Sequence, residues 1–297
     1  MNAHVDGRCA IKFGNGSSSF LLGVVRMRLA LLVAYDGTPY RGWTDVRDTA
    51  LRPALATVLG LAADEPPLVQ AASRTDAGVH ANGQVCSLAL SEGTKEVDCG
   101  QLAYSLNQLL PAEVAVRSVR LVDPSFDVRS NVGKTYLYRL STRAGSRDPL
   151  RRLYEWHLQP RRGRPPWDAS AVVHTAKSLR GTHSFAAYGN RPRGGERDAD
   201  VDPMCSLREL SIRAEGDDAW LFTLSGDRFL YKMARNLVGA LVRVGSGELT
   251  SAELVEALHS GGFERGASTP LTAPAHGLVL QQVDYSLDPF SDAAPAS

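Results

Sequence analysis

The chain has 297 residues, 43% hydrophobic and 22% charged, with a formal net charge of +1. That is enough apolar material for one large or two ordinary globular cores, and it excludes a disordered chain, a fibrous chain and a uniformly basic coat for nucleic acid. Cys9, Cys86, Cys99 and Cys205 stand far apart with no C-x-x-C pair, which argues against a structural zinc site or secreted disulfide framework and for a reducing, cytoplasmic setting.

Residues 1–26 carry Arg8, Lys12 and Arg26 against Asp6, with a Ser17-Ser18-Ser19 run and no clear period. They read as an appended tail, either disordered or an organellar (mitochondrial or plastid) leader. The apolar run Phe20–Val33 is interrupted by Arg26 and Arg28 and falls short of the roughly 20 residues of a membrane span. Met27–Tyr35 has strand length and ends at the turn signal Asp36-Gly37-Thr38-Pro39. Thr49–Leu59 puts Leu51, Leu55, Val58 and Leu59 on one helical face before Gly60, and Gln84–Leu90 alternates as a strand. A helix is expected over Gln101–Leu110, stopped by Pro111, then strands over Val114–Val122 and Thr135–Leu140, the latter sending Tyr136, Tyr138 and Leu140 to one face. Arg161–Pro166 is the expected boundary between an N-terminal half, 27–160, and a C-terminal half, 167–285, with 286–297 as a tail. The second half reads as a helix over Ala169–Arg180, a polar loop over Gly189–Asp202, a strand over Trp220–Leu224, and a long helix over Phe229–Val244. A last helix, Thr250–Leu258, is opened by the capping box Thr250-x-x-Glu253 and closed by Gly261-Gly262. With neither βαβ regularity nor G-x-G-x-x-G, the fold class is α+β, mixed and mainly antiparallel sheet backed by helices.

Three regions carry chemistry. Between apolar segments lies Ala72-Ser73-Arg74-Thr75-Asp76-Ala77-Gly78-Val79-His80, an acid, a guanidinium and an imidazole within seven residues. Such a cluster suits a cleft that holds an ionised carboxylate, with Asp76 as the actor; by spacing alone it equally fits an ordinary Asp-x-Gly turn. Between Arg129 and Arg164 ten Lys and Arg, among them Arg129, Lys134 and Arg139, face only Asp148 and Glu155, with Tyr136, Tyr138, Tyr154 and Trp156 interleaved. Phosphate contact plus base stacking calls for that pattern; a solvated, Arg-rich loop is the other reading. On the long helix, Phe229, Met233, Leu237, Ala240, Leu241 and Val244 form an apolar stripe, and Lys232, Asn236 and Arg243 a polar one. Arg235 sits on the flank, where it either pairs across a cleft or reaches water.

Six motifs in order carry a resemblance. They are Asp36-Gly37 with Gly42-Trp43; Ser73-Arg74-Thr75-Asp76-Ala77-Gly78-Val79-His80-Ala81; Phe126-Asp127-Val128-Arg129 leading to Lys134-Thr135-Tyr136-Leu137-Tyr138; Gly181-Thr182-His183-Ser184-Phe185; Phe229 through Gly239; and Ala273-Pro274-Ala275-His276-Gly277-Leu278. From about Met27 to about Tyr285 the chain resembles the TruA-type tRNA pseudouridine synthases. The resemblance implies a pseudouridine synthase fold of two similar halves with a basic cleft between them. It also implies an isomerase without cofactor or metal that acts on tRNA, in most members at the anticodon arm, often as a homodimer and away from membranes. Asp76 falls on the catalytic aspartate, Tyr136 on the tyrosine that stacks on the target base, Arg235 on the arginine that pairs with the aspartate, and Arg74 on the arginine that displaces or replaces the flipped base. Arg129, Lys134, Arg139 and Lys232 join Arg74 and Tyr136 as expected RNA contacts. His80 and the glycines are expected to shape the loop. The chain departs from the family pattern at Thr44-Asp45-Val46, at Ser184, and over Phe126–Arg129, which lacks a His. An RNA-binding protein without turnover, a synthase for another position or RNA, and an aspartate-nucleophile hydrolase are the competing functions.

Overall fold

A computed structural model describes residues 27–62, 67–90, 98–145, 148–159, 165–190, 202–216, 218–263 and 272–291. Residues 1–26, most of the polar loop 189–202, most of the expected boundary 161–166 and the end of the tail lie outside them. The chain forms two compact units, one of residues 1–77, 81–131 and 283–297, the other of 78–80 and 132–282. The division at Asn131/Val132 lies upstream of Arg161–Pro166, and short pieces of chain return across it.

In the first unit the sheet order is β4 (Val114–Val122), β1 (Met27–Tyr35), β3 (His80–Leu90), with the short β2 (Gln70–Ala71) also on β3, all antiparallel. Leu29, Leu31, Val33, Cys86 and Leu88 are shut from solvent along β1 and β3. The first helix starts earlier than its apolar spacing suggests. α1 (Trp43–Val46) passes through a π-helical turn, Arg47–Leu51, into α2 (Arg52–Leu59). Trp43 and Val46 are buried at its start, and Gly60 ends it in the left-handed conformation, φ 63°. α3 (Cys99–Leu109) packs on β4; its N-cap is Asp98, whose carboxylate accepts from Gln101 N.

The second unit has the sheet order β10 (Leu278–Asp284), β5 (Gly133–Ser141), β9 (Ala219–Gly226), β8 (Met204–Ala214), β7 (Gly181–Ser184), with β6 (Trp156–His157) parallel on β5. α4 (Ala169–Ser178), α5 (Met233–Gly245) and α6 (Ser251–Ser260) back it, α4 packing on both α5 and α6. The alternation read from β5 holds: Tyr136, Tyr138 and Leu140 are buried together. The capping box at Thr250 is formed on both sides, Thr250 Oγ1 accepting from Glu253 N and Glu253 Oε2 accepting from Thr250 N at 2.7 Å. The fold is α+β with mainly antiparallel sheet.

The long helix differs from its expected form. It begins at Met233, four residues after Phe229, because Lys232 takes a left-handed conformation, φ 61°, and halts the helix there. Its polar stripe is not a solvent stripe. Asn236 is buried, donating to Tyr188 O (2.7 Å) and Asn190 Oδ1 (2.6 Å) and accepting from Thr272 Oγ1 (2.7 Å). α5 is a central helix, buried on nearly every side, with Arg235 and Arg243 at half-exposed positions.

Candidate active site

The loop between β2 and β3 is gripped through alternate residues. Ala72 N donates to Val85 O (2.9 Å), continuing the β2–β3 ladder by one rung. The next rung of an antiparallel ladder carries no main-chain bond, and there the buried Gln84 carboxamide holds the loop, Nε2 donating to Ser73 O (2.7 Å) and Oε1 accepting from Ser73 N (3.3 Å). Thr75 is held by the hydroxyl pair Tyr35 Oη···Thr75 Oγ1 (2.7 Å) and by Trp43 N, which donates to Thr75 O (3.2 Å). Tyr35 and Trp43 are themselves ring neighbours, 5.9 Å between centroids. Ser73 and Thr75 are therefore buried, while Arg74 is exposed and Asp76 half-exposed. Alternation along an extended stretch puts Arg74 and Asp76 on the outward side together. Gly42 closes the arrangement: its backbone, φ 103° and ψ −176°, lies in a region essentially reserved for glycine, and a Cβ there would stand 2.5 Å from Thr75 O. The Gly42-Trp43 motif thus has a mechanical meaning, seating the aspartate loop on the start of α1.

The second unit supplies the other assigned residues. Tyr136 on β5 is buried against Phe229, edge to face at 5.0 Å and 82°. Arg235 lies in the first turn of α5; its Nε donates to Ala273 O (2.8 Å) and Ala273 N donates back to Arg235 O (3.1 Å). That two-way bond aims the guanidinium and ties the Ala273–Leu278 motif to the helix. Tyr138, whose Oη donates to Pro274 O (2.9 Å), packs so closely on Gly277 that any side chain there would collide with its ring. Burial drives the Tyr138 hydroxyl well above the usual tyrosine range. His80 Nε2 lies 2.9 Å from Leu153 O and 3.1 Å from His276 O. Two carbonyls on one ring nitrogen require that it carry a proton, so this nitrogen is a fixed donor. Burial lowers the His276 imidazole below its ordinary value, against the opposing pull of a hydrogen bond to the Glu155 backbone.

The basic segment is less open than its sequence suggests. Tyr138 is fully buried and belongs to the core, and the half-buried Trp156 meets it edge-on at 6.4 Å. Arg139 is engaged by Glu215 (3.3 Å) and Arg129 by Asp127 (3.2 Å), and Arg151 by Asp148 (3.7 Å) and Glu155 (3.6 Å). Burial holds the Lys134 ammonium below the usual lysine range despite nearby Asp227. Lys232 stands over the Tyr231 ring, 5.1 Å from its centroid. Arg147, Arg161, Arg162 and Arg164 lie outside the described residues. Among the described residues no group of three or more His, Cys, Asp or Glu is arranged to hold a metal ion, and no helix is long and apolar enough to cross a membrane. Sequence reading missed Tyr35 and Gln84 as parts of the site. Gln84 gave one signal, a carboxamide within the apolar alternation of a buried strand.

An α+β protein with an aspartate and an arginine projecting from a clamped loop defines the class; comparison with known proteins defines the family. Residues 175–286 match the model of a family described as tRNA pseudouridine synthase. Over 267 residues the chain is 38% identical to tRNA pseudouridine synthase A of Solidesulfovibrio magneticus, covering 87% of this chain and 91% of the relative. It is 37% identical to the protein of that name from Myxococcus xanthus, covering 87% and 92%, and 34% identical to the one from Chlamydia pneumoniae, with the same coverage. The chain belongs to the tRNA pseudouridine synthase A family.

Proposed function

We propose that this protein isomerises uridine to pseudouridine in tRNA, at the anticodon stem-loop, with Asp76 as nucleophile. The observation that carries the reading is the loop itself: Arg74 and Asp76 face outward together because Ser73 and Thr75 between and beside them are buried and hydrogen-bonded. Relatives named as tRNA pseudouridine synthases support tRNA as the substrate. In the reaction the N1–C1′ bond of the nucleoside breaks and a C5–C1′ bond forms, while C5 gives up a proton and N1 gains one. Atoms and electrons balance within the substrate, so the step calls for no redox or group-transfer cofactor.

A paired base must leave its stack to react, at a cost of a few kcal/mol. Tyr136 is assigned to stack on the extruded uracil and Arg74 to fill the space it leaves, which together offset that cost. Arg235 is assigned to keep the Asp76 carboxylate ionised; its own Nε is held by the Ala273 carbonyl. Lys134, Arg139, Arg129 and Lys232 are assigned to the RNA backbone, Arg129 and Arg139 after exchanging their carboxylate partners for phosphate. Homodimerisation and a cytoplasmic location complete the reading.

The experiment maps pseudouridines in tRNA from cells lacking the gene. Return of the wild-type gene is expected to restore them in the anticodon arm, and a gene carrying Asp76→Asn to restore none. Restoration at another position would move the substrate assignment. Tight tRNA binding with an unchanged map would leave an RNA-binding protein without turnover.

A further inference from the structure

We infer that Gln84, together with Tyr35, is a positioning residue for the Asp76 loop: the two side chains set which way Arg74 and Asp76 face, and so set the rate of the chemical step without touching RNA. The inference rests on the assignment of Asp76 above.

The argument is one of register. β2 and β3 pair through Gln70↔Ser87 and Ala71↔Cys86, and Ala72 N still finds Val85 O. Ser73 falls opposite Gln84 in that register. The rung after a bonded one in an antiparallel ladder is a non-hydrogen-bonded pair, so the main chain of Gln84, which pairs with Val33 on β1, has no bond to offer Ser73. The Gln84 side chain supplies what the ladder cannot and satisfies both the N–H and the C=O of Ser73, donor to acceptor and acceptor to donor. A primary carboxamide is the side-chain group that copies both halves of a peptide. Both backbone groups of the buried Ser73 are therefore satisfied where the loop leaves the ladder.

Two residues on, the Tyr35 hydroxyl meets Thr75 from β1, and Trp43 N takes the Thr75 carbonyl. Ser73 and Thr75 are thus pinned from different strands, and Asp76 follows directly. Side chains alternate, so pinning the inward pair fixes the outward pair; a slip of one residue would turn Arg74 and Asp76 inward and present Ser73 and Thr75. Gln84 and Tyr35 are both shut from solvent. Their role is therefore mechanical, and it acts on geometry rather than on affinity for RNA.

The test separates turnover from binding. In Gln84→Met the side chain keeps its length and loses both hydrogen bonds; in Tyr35→Phe the ring stays against Trp43 and only the hydroxyl goes. Each purified variant is assayed on unmodified tRNA beside the wild type and Asp76→Asn, with tRNA Kd and melting temperature recorded. A misplacement of about 1 Å in a catalytic group can cost roughly 100-fold in rate. Gln84→Met is expected to lower kcat by about that factor, and Tyr35→Phe by about tenfold, with tRNA Kd and KM within about twofold of wild type. A folded Gln84→Met with wild-type kcat overturns the inference, as does a variant that loses tRNA binding in step with rate. Should Gln84→Met not fold, Tyr35→Phe decides alone, and wild-type kcat there overturns it. A wild-type protein inactive on tRNA, or an active Asp76→Asn, would instead strike the assignment on which the inference rests.

Discussion

Gly42 shows how much of the site depends on single atoms. An alanine there must leave a backbone conformation that costs of order 1–3 kcal/mol for a residue with a Cβ, and must also push Thr75 O away from a 2.5 Å contact. Gly42→Ala is expected to displace the loop, cutting pseudouridine formation at least tenfold with a smaller loss of melting temperature; unchanged turnover would show that Thr75 has room to move. Tyr138 is the contrasting case. It lies two residues from Tyr136 on the same face, but its hydroxyl is committed to Pro274 O and its ring to Gly277. Tyr138→Phe should cost stability by about 1 kcal/mol in urea unfolding, the price of one buried hydrogen bond, and leave kcat close to wild type. The Arg74-Thr75-Asp76 cluster was legible in the sequence because its residues are adjacent. The bonds from Gln84 to Ser73 and from Tyr35 to Thr75 were not, because they join positions 11 and 40 residues apart and follow from strand register.

At the scale of elements, local rules succeeded where the signal was local. The capping box at Thr250 needs only four consecutive residues, and its bonds form as the spacing predicts. Thr250→Ala should lower stability by about 1 kcal/mol, readable as a fall in melting temperature of a few degrees in a chain of this size, with turnover unaffected. The start of α5 was misplaced because hydrophobic period continues from Phe229 into the helix, whereas the left-handed turn at Lys232 leaves no periodic trace. Asn236 misled in the same way: polar by type, it is buried because Tyr188 O, Asn190 and Thr272 surround it. Strands β8 and β10 went unread although Asp202-Pro203 and Gly216 flank the one and Pro274 and Gly277 precede the other, and they are recognised by the partners they find in the sheet.

For the molecule as a whole, charge and protons give two handles. RNA held through phosphates releases counterions, so tRNA affinity should fall linearly in log–log terms with salt, by about 0.7–0.9 per phosphate neutralised; a flat salt dependence would deny the basic segment its role. Stability should respond to His276. Burial lowers its pKa in the folded protein, so the unfolded chain, near 6.5, takes up a proton first as pH falls. The stabilising contribution is complete above about pH 6.5 and is lost as pH falls through the folded value, and His276→Gln should flatten that part of the unfolding curve. The central claim is narrower than either and concerns one carboxylate. Pseudouridine formation must release the proton on C5, so purified protein incubated with tRNA carrying 5-tritiated uridine measures it directly. Wild type should release tritium to water in an amount equal to the pseudouridine formed, and Asp76→Asn should bind the same tRNA while releasing it at least about 10³-fold more slowly. Equal release by the two proteins would contradict the account.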